Sequence, residues 1–140
     1  MRAMFFSVES SNQSCYNTRM LTGEEVVHAL QTIRAPKAAS EYDLHTIILY
    51  TLQNAGIEAL HEVPLAPRRR IDFLCEGVGV EVKRGKPQRT ALLKQLIGYA
   101  QNERVGSLVL IADHPPKLPD MICGKKLTVV SLHKLWGIAV

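Results

Sequence analysis

The sequence predicts an α/β protein, a mixed sheet with helices packed on its faces. Three observations carry that expectation. "SEYDLHTIILYTLQNAG" repeats apolar residues at helical spacing. The segments after it are short and strand-like, divided by the turn signals "APRRR" and "EGVG". "SLVLIAD" is a continuous apolar run between Gly106 and "DHPP", as expected of a strand covered on both faces.

In chain order, "LTGEEVVHALQTIRAP" reads as a helix. Thr22 serves as N-cap, Glu25 completes a capping box, Val26, Val27, Leu30 and Ile33 form the apolar stripe, and Pro36 ends it. The next helix is capped by Ser40, carries Glu41 and Asp43 at its positive end and closes at Gly56. Its stripe is Leu44, Ile48, Leu52 and Ala55. Strands are expected at about 58–65, 69–75 and 79–84. A further helix within "KPQRTALLKQLIGYAQNE" gathers Leu92, Leu96, Tyr99 and Ala100 on one side. "KLTVVSL" gives another strand and "HKLWGIAV" a short C-terminal element. The division expected is an N-terminal extension with one helix over 1–39 and the main domain over 40–140.

A chain of 140 residues, 46% hydrophobic and 21% charged, has the composition of a folded globular protein with its own core. Its net charge of +4 is compatible with a polyanionic partner. Cys15, Cys75 and Cys123 are widely spaced and form no CxxC pattern. Neither a disulfide framework nor a zinc site is therefore expected, and the cytoplasm or another reducing compartment fits. No apolar run is long enough to span a bilayer, so no membrane partner is expected. The Ser-rich, acid-poor first residues fit a transit peptide, but a loose leader, or an extension upstream of a start at Met4 or Met20, is the reading preferred.

The chemistry-bearing residues interrupt the hairpin "RRRIDFLCEGVGVEVKRGK". Side chains alternate on a strand. A two-residue turn, either Gly77-Val78 or Glu76-Gly77, would place Asp72, Glu81 and Lys83 on one face. Ile71, Phe73, Cys75, Val80 and Val82 would then form the apolar face. Adjacent carboxylates repel unless a cation or proton intervenes, and hard oxygen ligands suit Mg²⁺ or Mn²⁺. The Val82 carbonyl could add a third oxygen, with Lys83 holding water or offsetting phosphate charge. A solvated strand pair with a cross-strand salt bridge is the other reading of these residues. Glu41 falls on its helix's core-facing stripe, and His45 sits one turn on. A charge there needs a partner or a metal, unless it is a solvated helix-start acid. Gln95 and Tyr99 share one face of their helix. Arg68, Arg69, Arg70, Arg84, Lys86 and Arg89 flank the hairpin, either as phosphate contacts or as a solvated basic rim.

Together these residues resemble the PD-(D/E)xK nuclease superfamily, whose restriction-endonuclease-like core runs αβββαβ. Asp72 in "RIDFL" and Glu81 and Lys83 in "VEVK" match its strand pattern. Glu41 matches its helix acid, and "QLIGY" matches the Q-x-x-x-Y of RecB-like members. Small Holliday-junction-resolvase-like nucleases are similar too. The likeness covers about residues 40–113, and Ile71 stands where a proline is usual. It implies that Asp72, Glu81, Glu41 and the Val82 carbonyl hold Mg²⁺ or Mn²⁺. Lys83 would activate water, Gln95 would orient substrate or Lys83, and Tyr99 and His45 would support the site. The implied activity is hydrolysis of DNA phosphodiesters, selective for junctions, flaps or ends, in repair, recombination or mobile-element and phage biology. Cutting a symmetric junction would require a homodimer. A non-catalytic nucleic-acid-binding or assembly module on the same fold, and a nuclease acting on RNA, are the alternatives.

Overall fold

The structure is a computed structural model, and it describes residues 20–33 and 40–133. The leader, Cys15, Pro36 and the chain beyond His133 lie outside the described residues. Helix α1 spans Gly23–Leu30 and α2 spans Glu41–Asn54; strands β1, β2 and β3 span Ala59–Ala66, Arg69–Cys75 and Val78–Lys83. Helix α3 spans Arg89–Ala100, and β4, β5 and β6 span Ser107–Ala112, Met121–Ile122 and Lys125–Ser131.

Both expected helix starts form capping boxes. Thr22 and Glu25 exchange bonds at α1, while Ser40 pairs with Asp43 at α2. Each box satisfies backbone N–H groups that a helix start otherwise leaves open. The side chain of Gln88 caps α3. Ala55, expected in the α2 stripe, is exposed, because the helix has closed by then.

The strands form one open, mixed, six-stranded sheet in the order β1-β2-β3-β4-β6-β5. β1, β2 and β3 are antiparallel, β3, β4 and β6 are parallel, and β5 returns antiparallel to β6. The short β5 is an element that the sequence reading did not separate from its surroundings. α1 and α2 cover one face through Val26, Leu30, Leu44, Ile48 and Leu52, over Phe73, Val80, Val82, Val109 and Ile111. α3 covers the other through Leu92, Leu96 and Tyr99, over Ile71, Leu74, Leu108 and Leu110. β4 feeds both cores by strict alternation, which is why "SLVLIAD" reads as unbroken apolar sequence.

The β2–β3 loop is the two-residue turn Glu76-Gly77, with φ of 49° and 92°. Positive φ at both central residues is the type I′ geometry that matches strand twist, and Gly77 takes its share without steric cost. The register follows: Cys75 pairs with Val78, Leu74 with Gly79 and Phe73 with Val80.

Candidate functional site

Beyond Phe73 the regular pairing of β2 with β3 stops. On the other side of β2 the register passes from His61↔Phe73 to Val63↔Ile71, skipping Glu62 opposite Asp72. Glu62 has φ 53°, a left-handed conformation for a residue with a Cβ. Both strands change face at this level. Phe73 packs with α2 and Ile71 with α3; His61 lies against Phe73, and Val63 joins the α3 core. This corrects the expected apolar face, from which Ile71 is removed. It also corrects the single charged face. Glu81 and Lys83 share the α3 side, while Asp72 stands at the switch.

The two acids bridge the gap that this switch opens. The Val82 N–H donates to Asp72 Oδ2 at 2.8 Å, and the Asp72 N–H donates to Glu81 Oε1 at 3.3 Å. Carboxylates thus accept the backbone N–H groups that the interrupted ladder leaves unpaired. Glu81 is 3% exposed, and its Oε2 lies 3.2 Å from Lys83 Nζ.

From α2, His45 enters the same gap. Its Nε2 is 3.6 Å from Asp72 Oδ2 and 3.9 Å from Glu41 Oε2. Glu41 is 56% exposed, so it is not a core-facing acid, but helical spacing brings its carboxylate back over His45. His45 Nε2 is buried without a hydrogen-bond partner. His45 Nδ1 faces His61 Nε2 at 3.0 Å, and Glu62 Oε2 lies 3.8 Å from that same atom of His61.

The electrostatics follow from this crowding. Burial, then the nearby Asp72, push the Glu81 pKa up to about 7, against the opposing pull of Lys83. The Asp72 carboxylate raises the His45 pKa above its ordinary value, against the effect of burial, although 3.6 Å is too long for a formed hydrogen bond. The buried Cys75 thiol is pushed up to about 12 by desolvation, which leaves it inert.

Beside Lys83 opens a cleft of about 780 Å³ between the β1–β2 turn and α3. Arg68, Arg69, Arg70, Lys83 and Lys94 line it with Gln95, and no acid does so among the described residues. A Cβ at Gly98 would fall 2.3 Å from the Arg69 guanidinium carbon, so the bare helix surface there is the space that Arg69 occupies. Gln95 donates to the Tyr99 hydroxyl at 2.9 Å, which donates to the Arg70 carbonyl at 2.8 Å. The Q-x-x-x-Y pair thus ties α3 to the arginine strand.

The expected residues therefore divide. Asp72, Glu81, Lys83, Glu41 and His45 gather at the gap, while Gln95 and Tyr99 stand beside the cleft. Val82 contributes its N–H to Asp72. Arg84 pairs with Asp113 at 2.9 Å, and Arg89 donates to the Lys117 carbonyl. Burial would raise the Asp113 pKa, yet Arg84 and the Gly85 N–H hold it below its ordinary value. Both arginines thus have partners within the chain, and with the exposed Lys86 they lie outside the cleft lining. His61 and Lys94 were missed. Strand alternation would put His61 on the side of Val63, and no local sequence signal announces the turn at Glu62. Lys94 had a signal, its place beside Gln95 on α3.

Glu41, His45 and Asp72 form a group whose ligand atoms lie within 4.8 Å of one another. Two bonds of about 2.1 Å reach about 4.2 Å, so one ion can touch both atoms of the pairs at 3.6 and 3.9 Å. The unpartnered nitrogen between two carboxylates is the donor set that a divalent cation satisfies. No helix among the described residues is long and apolar enough to cross a membrane.

Compared with protein-family models, with curated proteins and with solved structures, the chain matches none.

Proposed function

We propose that this chain is a divalent-metal-dependent nuclease that hydrolyses nucleic-acid phosphodiester bonds, with DNA as the expected substrate. The observation that carries the reading is the meeting of an acid–imidazole cluster with a basic cleft, joined through Lys83. The element order α2-β1-β2-β3-α3-β4, with β3 and β4 parallel, supports a restriction-endonuclease-like core of the PD-(D/E)xK kind.

Asp72, Glu41 and His45 would hold the ion, with Glu81 across the gap. A Mg²⁺ or Mn²⁺ ion there would supply positive charge where phosphate charge develops. The arginines of the β1–β2 turn and Lys94 neutralise backbone phosphates and guide the strand toward Lys83. Glu81 fixes the Lys83 ammonium, which donates toward the reacting phosphate or its attacking water. Gln95 and Tyr99 act on the cleft, by holding the backbone beside Arg70.

The cleft would also serve a non-catalytic binding module. Incubation of labelled single-stranded, duplex, flap and four-way-junction DNA, and of RNA, with Mg²⁺ or Mn²⁺ separates the readings. The nuclease cuts at least one substrate, only with metal, and Lys83→Ala slows it at least about 100-fold. Binding without cutting by wild type, or equal cutting by the variant, removes the catalytic assignment.

A further inference from the structure

We propose that His61 is a positioning residue that holds His45 in the tautomer with a bare Nε2, and that this nitrogen makes the site prefer Co²⁺-class transition ions to Mg²⁺. The inference rests on the reading above only in needing an ion at Asp72.

His45 Nδ1 and His61 Nε2 are 3.0 Å apart, so one must donate and the other accept. If His61 donated, His45 would carry its hydrogen on Nε2. That N–H would be buried between the carboxylates of Asp72 and Glu41, and it would close on one of them to about 2.8 Å. The observed separations are 3.6 and 3.9 Å, and Nε2 has no hydrogen-bond partner. Open spacing around a buried nitrogen is what a lone pair facing two anions produces. In the neutral ring the hydrogen therefore belongs on Nδ1, donated to His61.

The rest of the neighbourhood fixes His61 for that task. Its ring stacks on Phe73 at 5.0 Å and 25°, and meets His45 edge-on at 5.1 Å. The left-handed backbone at Glu62 is what turns His61 away from the side of Val63. Ligating histidines are commonly oriented by a bond from their second nitrogen. Here that bond runs to His61 Nε2. The outcome is one nitrogen and two carboxylates around a common point, and imidazole nitrogen favours later first-row ions over Mg²⁺.

The test is titration of the full chain with CoCl₂ and MgCl₂, followed by calorimetry and visible absorption. Long-range ¹H–¹⁵N spectra of the metal-free protein report the histidine tautomers. Wild type should bind Co²⁺ at least tenfold more tightly than Mg²⁺, with the His45 hydrogen on Nδ1. His61→Leu, which removes the acceptor at a partly exposed position, should lose about 10–100-fold in Co²⁺ affinity while Mg²⁺ affinity moves less than about threefold. His61→Gln, which keeps an acceptor, should restore most of the loss. Unchanged Co²⁺ binding in His61→Leu, a hydrogen on His45 Nε2, or a loss in His61→Gln equal to that in His61→Leu each overturns the role. The last result would make His61 itself a ligand. If wild type binds neither ion, the metal-dependent reading falls as well; if it binds ions and ignores His61, only this inference falls.

Discussion

The two halves of the sheet follow different rules. In β4 every residue from Leu108 to Ala112 is buried and alternate residues enter opposite cores, so the strand does nothing but pack. In β1 and β2 the alternation breaks at Glu62 and Asp72, the ladder opens, and charged groups fill the space. A left-handed residue costs about 1–2 kcal/mol. Such a cost persists only where surrounding structure enforces it, and it clusters at sites that do chemistry. The regular half stabilises the fold, and the irregular half gathers the acids and histidines of the proposed site.

Substitutions in the two halves should therefore separate stability from function. The largest stability effect belongs to the regular half. Leu110→Ala should cost about 2–5 kcal/mol in denaturant unfolding while Co²⁺ affinity of the folded protein stays near wild type. A small cost would show that the α3 core collapses around the gap.

Glu81 gives the next contrast, read through pH. Its folded pKa lies above its unfolded value, so its contribution to stability is present at low pH and is lost as pH rises through about 7. In chelator, the melting temperature of wild type should fall relative to that of Glu81→Gln between pH 5 and 8. Parallel curves would mean that the folded state does not penalise the Glu81 charge.

Gly98→Ala is a smaller probe, of the cleft. A Cβ there collides with the guanidinium of Arg69, the mobile end of a long side chain, so the arginine shifts and the helix survives. Helix propensity should add up to about 1 kcal/mol of stability. Affinity for a labelled oligonucleotide should nevertheless drop a few-fold, and unchanged affinity would remove Arg69 from the interface.

The smallest effect is expected at Glu62→Gly. Relief of the left-handed backbone, less the entropy that glycine loses on folding, should leave a gain of about 0.5 kcal/mol. A clear loss of stability would indicate that contacts of Glu62, such as that with Arg70 at 3.5 Å, outweigh the strain.

The regular half was legible in the sequence because its causes are local or periodic. Capping pairs mark α1 and α2, and apolar runs mark β4; the "EGVG" turn leaves two hairpin registers open, of which Glu76-Gly77 is the one formed. Asp72, Glu81 and Lys83 were legible as charges where packing alone would place apolar residues. The face switch at Asp72 was not, because it depends on pairing with Glu62 across the strand. For the same reason strand alternation alone leaves His61 unmarked and puts Ile71 in the other core. The pairing of Arg84 with Asp113 was not legible either, because the two lie a whole crossover apart.

We propose that the gap at Asp72 is a metal-dependent hydrolytic site fed by the basic cleft. The most direct test is Asp72→Asn, with cleavage in Mn²⁺ and nucleic-acid binding in chelator measured on the same preparation. The amide oxygen can still accept the Val82 N–H, so the fold and the cleft should survive. Cleavage should fall at least about 100-fold while binding stays within about twofold of wild type. Cleavage that persists in Asp72→Asn, or that is lost only together with binding, would contradict the account.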